Sequence, residues 1–101
     1  MMKLSSTSIV HTPLAPRYAK QFISHWGRHT EPEVDGAVTR MHFDAMGDFP
    51  ATGISVEVRT DELVLVACAD DDAALRANCD SVAEHLHRFA GKKEQLSIVW
   101  S

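Results

Sequence analysis

The chain has 101 residues, 45% of them hydrophobic and 24% charged, with a formal charge of −4. That is the size of a single domain with one core, with no chain left for a second domain or an inter-domain cleft, so residues 1–101 are read as one unit. Ten Lys and Arg are scattered against fourteen Asp and Glu, which excludes the clustered positive surface of a nucleic-acid binder. No apolar run reaches the roughly 18 residues of a membrane span, and Met1 to Ser8 lack the apolar block of a secretory signal, so no membrane association and a cytoplasmic location are expected.

Leu4 to His11 alternates weakly and is rich in small and β-branched residues, as an edge strand would be. Thr12-Pro13 offers an N-cap followed by proline, and Pro16 still falls in a first helical turn, where a missing amide hydrogen does least harm. Tyr18, Ala19, Phe22, Ile23 and Trp26 then share one face of a helix that Gly27 stops. Thr30 to Gly36, with Glu31, Pro32, Glu33 and Asp35, reads as a solvated connection. Val38 to Phe43 alternates as a strand, and Asp44 to Thr52 is a loop carrying Gly47, Asp48 and Pro50. Ile54, Val56 and Val58 alternate with polar residues, so that strand has one wet face. Thr60-Asp61-Glu62 connects it to Leu63–Ala69, apolar on both faces and hence central. Asp70, Asp71 and Asp72 suit the unpaired amides at a helix start. Leu75, Cys79, Val82, Leu86 and Phe89 form an apolar stripe over four turns, closed by Gly91-Lys92-Lys93. Leu96, Ile98 and Trp100 alternate in a last strand.

The resulting order, β-α-β-β-β-α-β, requires both helices to bury their stripes against one face of a mostly antiparallel sheet: an α+β two-layer sandwich. Three strands between the helices make the helices parallel, with their C-terminal ends at one end of the domain; an even number would separate those ends. His25, Trp26, Arg28 and His29 close the first helix, and Glu84, His85, His87 and Arg88 lie in the last turns of the second. Imidazoles and guanidiniums gathered at a common rim suit an anionic ligand, although cations near helix C-termini are favoured by the helix dipole with no ligand present.

Other chemistry is poorly supported. His25 and His29 have the i, i+4 spacing of a helical metal pair, but Gly27 interrupts the helix between them, the position that holds glutamate in HExxH is Trp26, and no third ligand has a fixed spacing. No metal and no cofactor are expected. His85 borders the apolar stripe, where a histidine ordinarily donates to a backbone carbonyl; as a general acid or base it would need a partner, and no such partner is evident. There is no GxSxG elbow and no phosphate loop, and the Asp run lacks the glycine and closing glutamate of a calcium loop. Tyr18, Phe22 and Trp26 read as core rather than as a stacking platform. Cys68 and Cys79 read as reduced packing residues.

Thr12-Pro13-Leu14-Ala15-Pro16-Arg17-Tyr18, His85-Leu86-His87-Arg88-Phe89-Ala90 and Leu96-Ser97-Ile98-Val99-Trp100 resemble the bacterial domain-of-unknown-function 2218 family over nearly the whole chain. The positions that carry the resemblance are Arg17, Tyr18, His85, Leu86, Arg88, Phe89 and Trp100. Some members of that family are linked to siderophore-interacting flavin reductases, so the resemblance implies a place near bacterial iron acquisition and such a reductase as a partner, but no reaction. The leading expectation is therefore a non-catalytic accessory or ligand-binding domain for an anionic small molecule, with Arg17, His25, His85 and Arg88 as contacts. Arg17 starts its helix and so lies at the other end from His85 in the parallel arrangement. The alternatives are a small enzyme with His85 as acid or base and Arg88 holding an anion, and a homodimer that buries the exposed sheet face.

Overall fold

The computed structural model describes residues 3–28, 30–48 and 50–101. Strand β1 (Leu4–His11) leads into helix α1 (Ala15–Trp26), followed by β2 (Glu33–Asp35), β3 (Val38–Phe43), β4 (Thr52–Arg59), β5 (Glu62–Ala69) and helix α2 (Asp72–Ala90). The five strands form one antiparallel sheet in the order β1-β5-β4-β3-β2. This is the expected α+β sandwich, with the elements in the order β-α-β-β-β-β-α. β5, expected at the middle of the sheet, is an interior strand paired on both edges, and β4 beside it is the middle of the five: Val10, Leu63 and Val58 stand in one row, as do Ser8, Leu65 and Val56. Those rows face the helices. Val10, Leu63, Leu65, Ile54 and Val56 join Tyr18 and Phe22 of α1 and Val82 and Leu86 of α2 in a single buried cluster.

Two elements differ from expectation. Glu33–Asp35, read as solvated connection, is a short, fully exposed edge strand. Its one apolar side chain, Val34, is exposed and buries no face, but the tight turn at Gly36, with a φ of +60°, folds Asp35 back onto Val38. The terminal segment, read as a strand, forms no ladder. Ser101 alone exchanges backbone hydrogen bonds with Thr7, at 3.0 and 3.2 Å. The alternation in that segment is nonetheless real: Leu96, Ile98 and Trp100 pack against the core, and Val99 is exposed.

The helix ends also have physical causes. Asp71 caps α2, its Oδ1 accepting from the Ala74 amide at 2.7 Å, and Gly91 follows the helix with a φ of +55°. α1 is not capped by Thr12 as expected. The Thr12 hydroxyl accepts instead from the Leu14 amide at 3.0 Å, two residues ahead of the cap position, so α1 begins behind Leu14 without a side-chain cap. No helix is long and apolar enough to cross a membrane among the described residues.

Candidate functional site

The path of the chain decides how the two helices meet. Four strands, rather than three, separate them, and the ring contacts show the outcome. Phe22 meets Phe89 edge-on at 5.1 Å, while His25, three residues further along α1, meets His85, four residues earlier in α2, at 4.8 Å between ring centroids. The helices are antiparallel, and the expected common rim of two C-terminal ends is not formed. The imidazoles meet all the same, because α1 has 12 residues and α2 has 19: the end of the short helix lies beside the body of the long one.

Around this crossing the rings are continuous. Trp26 stacks on Phe22 at 4.8 Å and tilts against His85 at 4.9 Å, and Phe89 closes the far side, 6.3 Å from His85 and 6.4 Å from His25. Trp26 is thus a wall of the imidazole cluster as well as a half-buried contributor to the core, a double role that helical spacing alone cannot reveal. His85 is half-buried, and its Nδ1 lies 2.7 Å from the Ser81 carbonyl oxygen. A carbonyl only accepts, so Nδ1 carries the proton and the neutral ring offers Nε2 as a lone pair. His25 is exposed.

The arginines do not join this cluster. Arg88 is exposed, 60° around the helix from His85 by helical geometry, and its Nη2 is bound to Glu84 Oε1 at 2.5 Å. Arg17 is exposed in the first turn of α1, eight residues and so about 12 Å of helix axis from His25. His87 is exposed, about 200° around α2 from His85. His29, the second member of the i, i+4 pair, lies outside the described residues. No group of three or more His, Cys, Asp or Glu side chains is arranged to hold a metal ion among the described residues.

Two shallow grooves lie elsewhere. One, of about 430 Å³, runs between α1 and the β2–β3 hairpin, lined by Pro16, Lys20, Ile23, Ala37 and Val58; the other, of about 450 Å³, lies on the outer face of α2 around Asp72, Arg76 and Asp80. His85 lines neither. Cys68 and Cys79 are both free; burial pushes both thiols above their ordinary range, which keeps them protonated and poorly nucleophilic. Burial likewise pushes the Tyr18 phenol up, helped by the nearby Glu94 carboxylate, although the Tyr18 hydroxyl completes no hydrogen bond among the described residues.

One polar anchor was missed in the sequence. Asn78 donates from Nδ2 to the Gly53 and Cys68 carbonyls, at 2.9 and 3.2 Å, tying α2 to the two central strands. Its only sequence signal was an amide one residue before the stripe position Cys79.

Residues 7–101 match the family described as uncharacterized protein conserved in bacteria, DUF2218. The chain belongs to this family. Among solved structures, the NMR structure of PA4090 from Pseudomonas aeruginosa is similar to this DUF2218 chain, with 29% identity, 100% of this chain and 96% of that chain covered, and a TM-score of 0.71. A search of curated proteins finds no match. The solved structure shares the fold, and the family description gives no activity.

Proposed function

We propose that this DUF2218 domain is a non-catalytic binding module whose ligand rests on the His25–Trp26–His85–Phe89 surface. The ligand class is a small molecule with an anionic group and a flat or apolar body. The observation that carries this reading is the pairing of two imidazoles at 4.8 Å beside an indole face, with His85 locked in orientation by the Ser81 carbonyl. A fixed ring loses little freedom on binding, and an indole face gains from a flat partner. An imidazole donates from both nitrogens only when protonated, so an anion binds this pair with uptake of protons and more tightly in mild acid.

The enzymatic alternative has less support. His85 lines neither groove, Ser81 reaches it through its carbonyl instead of its hydroxyl, and the arginine meant to hold an anion is engaged by Glu84. A role beside siderophore-interacting reductases fits the reading, since catecholate ferric siderophores and flavin nucleotides are anionic ligands with extended bodies.

The test is thermal denaturation in the presence of chelator with citrate, phosphate, flavin mononucleotide and a ferric siderophore, at pH 6 and pH 8. A ligand of the folded state raises Tm by mass action. The reading expects a rise for at least one of these, larger at pH 6 and lost in His85→Ala. No rise with any of them, or a rise that His85→Ala leaves intact, overturns it.

A further inference from the structure

We infer that His25 and His85 together form a binding site for a late first-row divalent cation of the zinc, nickel and copper class, bridging α1 to α2. Three features of the ring pair point there. First, the Ser81 carbonyl holds the Nδ1 proton of His85 at 2.7 Å. A metal-binding imidazole is ordinarily fixed in this way, its remote nitrogen donating to a carbonyl or carboxylate so that the other nitrogen presents its lone pair. Second, the spacing fits. A metal about 2.0–2.1 Å from one nitrogen of each ring stands about 3.2 Å from each ring centroid, so ligand–metal–ligand angles from about 90° to about 109° separate the centroids by roughly 4.5–5.2 Å. The observed separation is 4.8 Å. Third, the rings are tilted by 49° instead of lying parallel, which opens a wedge in which the exposed His25 ring can turn a nitrogen toward a point shared with the fixed Nε2 of His85.

Imidazole is the ligand that this class of cations prefers among the side chains at the crossing, whereas magnesium and calcium would ask for oxygen. Two protein ligands leave the remaining positions to water, so the affinity is micromolar in scale and the site is open. Because the rings come from different helices, a bound cation fastens the end of α1 to the body of α2. The inference does not rest on the anion reading above. A cation needs the rings neutral, and an anion needs them protonated, so the two are separated by pH and by chelator.

The experiment uses zinc chloride and nickel chloride alone, at pH 8, without organic anions. The expected result is a saturable rise in Tm in micromolar metal, reversed by chelator, abolished in His25→Ala and in His85→Ala, and retained in His87→Ala and Cys68→Ser. His25 is exposed, so His25→Ala, with its fold checked by far-UV circular dichroism, carries the test even if His85→Ala is destabilised. In parallel, substoichiometric paramagnetic nickel should broaden the Trp26 indole and Phe89 ring resonances first. Absence of any rise up to millimolar metal overturns the inference. So does a rise that survives His25→Ala, or broadening centred on His11, His42 or Cys68.

Discussion

Replacing Asn78 by alanine removes the only side-chain amide that ties α2 to both β4 and β5 among the described residues. The amide donates one hydrogen to Gly53 O at 2.9 Å and the other to Cys68 O at 3.2 Å, and those two residues face each other across the central strand pair. Each such bond is worth a net ~0.5–1.5 kcal/mol, and truncation leaves both half-buried carbonyls short of a donor, so the gross loss is about 1–3 kcal/mol. Alanine returns up to about 0.7 kcal/mol in helix propensity, which leaves a net cost of ~0.3–2.3 kcal/mol. For a domain of this size that corresponds to a fall in Tm of roughly 1–18 °C. The assay is urea denaturation followed by far-UV circular dichroism, with Asp80→Ala on the exposed face of the same helix as a propensity control. The midpoint of Asn78→Ala should fall with an unchanged slope, while the control stays level or rises. Asn78→Asp extends the argument. A carboxylate facing two carbonyls at pH 7 should cost more than alanine, and part of the loss should return in acid, where the protonated carboxyl can donate one bond. An Asn78→Ala midpoint equal to or above that of the parent would refute the claim that this amide anchors the helix to the sheet.

Two further outcomes are expected. Arg88→Ala should cost only ~0.3–0.5 kcal/mol, since its partner Glu84 is an exposed i, i+4 neighbour, and should leave any ligand response intact; a lost response would place Arg88 at the binding surface after all. Stability should be level to about pH 8.5 and decline as pH climbs past the ordinary values of 9.0 for Cys68 and Cys79 and 10.0 for Tyr18. Burial raises all three in the folded state, so the unfolded chain gives up protons first and gains the advantage as pH rises. Thermal midpoints across pH 7–10.5 measure this, and midpoints that increase above pH 9 would contradict the direction of the shifts.

Composition and periodicity by themselves determined the two-layer α+β class, an interior place in the sheet for Leu63–Ala69 and the stripe from Leu75 to Phe89. Each follows from a local rule: a strand covered on a face is apolar on that face, and a helix on a sheet repeats its apolar residues every three or four positions. The same local rules gave the Asp70–Asp72 run as the start of the helix, of which Asp71 is the cap, and Gly91 as its stop. What they could not supply was any quantity set by partners distant in sequence. Glu33–Asp35 is a strand because a glycine turn lays it along β3, and nothing in three exposed residues announces that pairing. The extra strand changes a parity, and the parity reverses α2 relative to α1, so the expected meeting of helix ends gave way to an antiparallel crossing. His25 and His85 nevertheless meet, because the helices differ in length and His85 stands five residues before the end of the longer one. Arg88 and Arg17 stayed out of the cluster for reasons equally invisible in one dimension: a glutamate one turn back holds the first, and about 12 Å of helix axis separates the second from His25. Sequence thus fixes which faces must be buried, since burial follows residue type. Only the tertiary structure decides which side chains touch, since contact depends on strand count, helix length and register together.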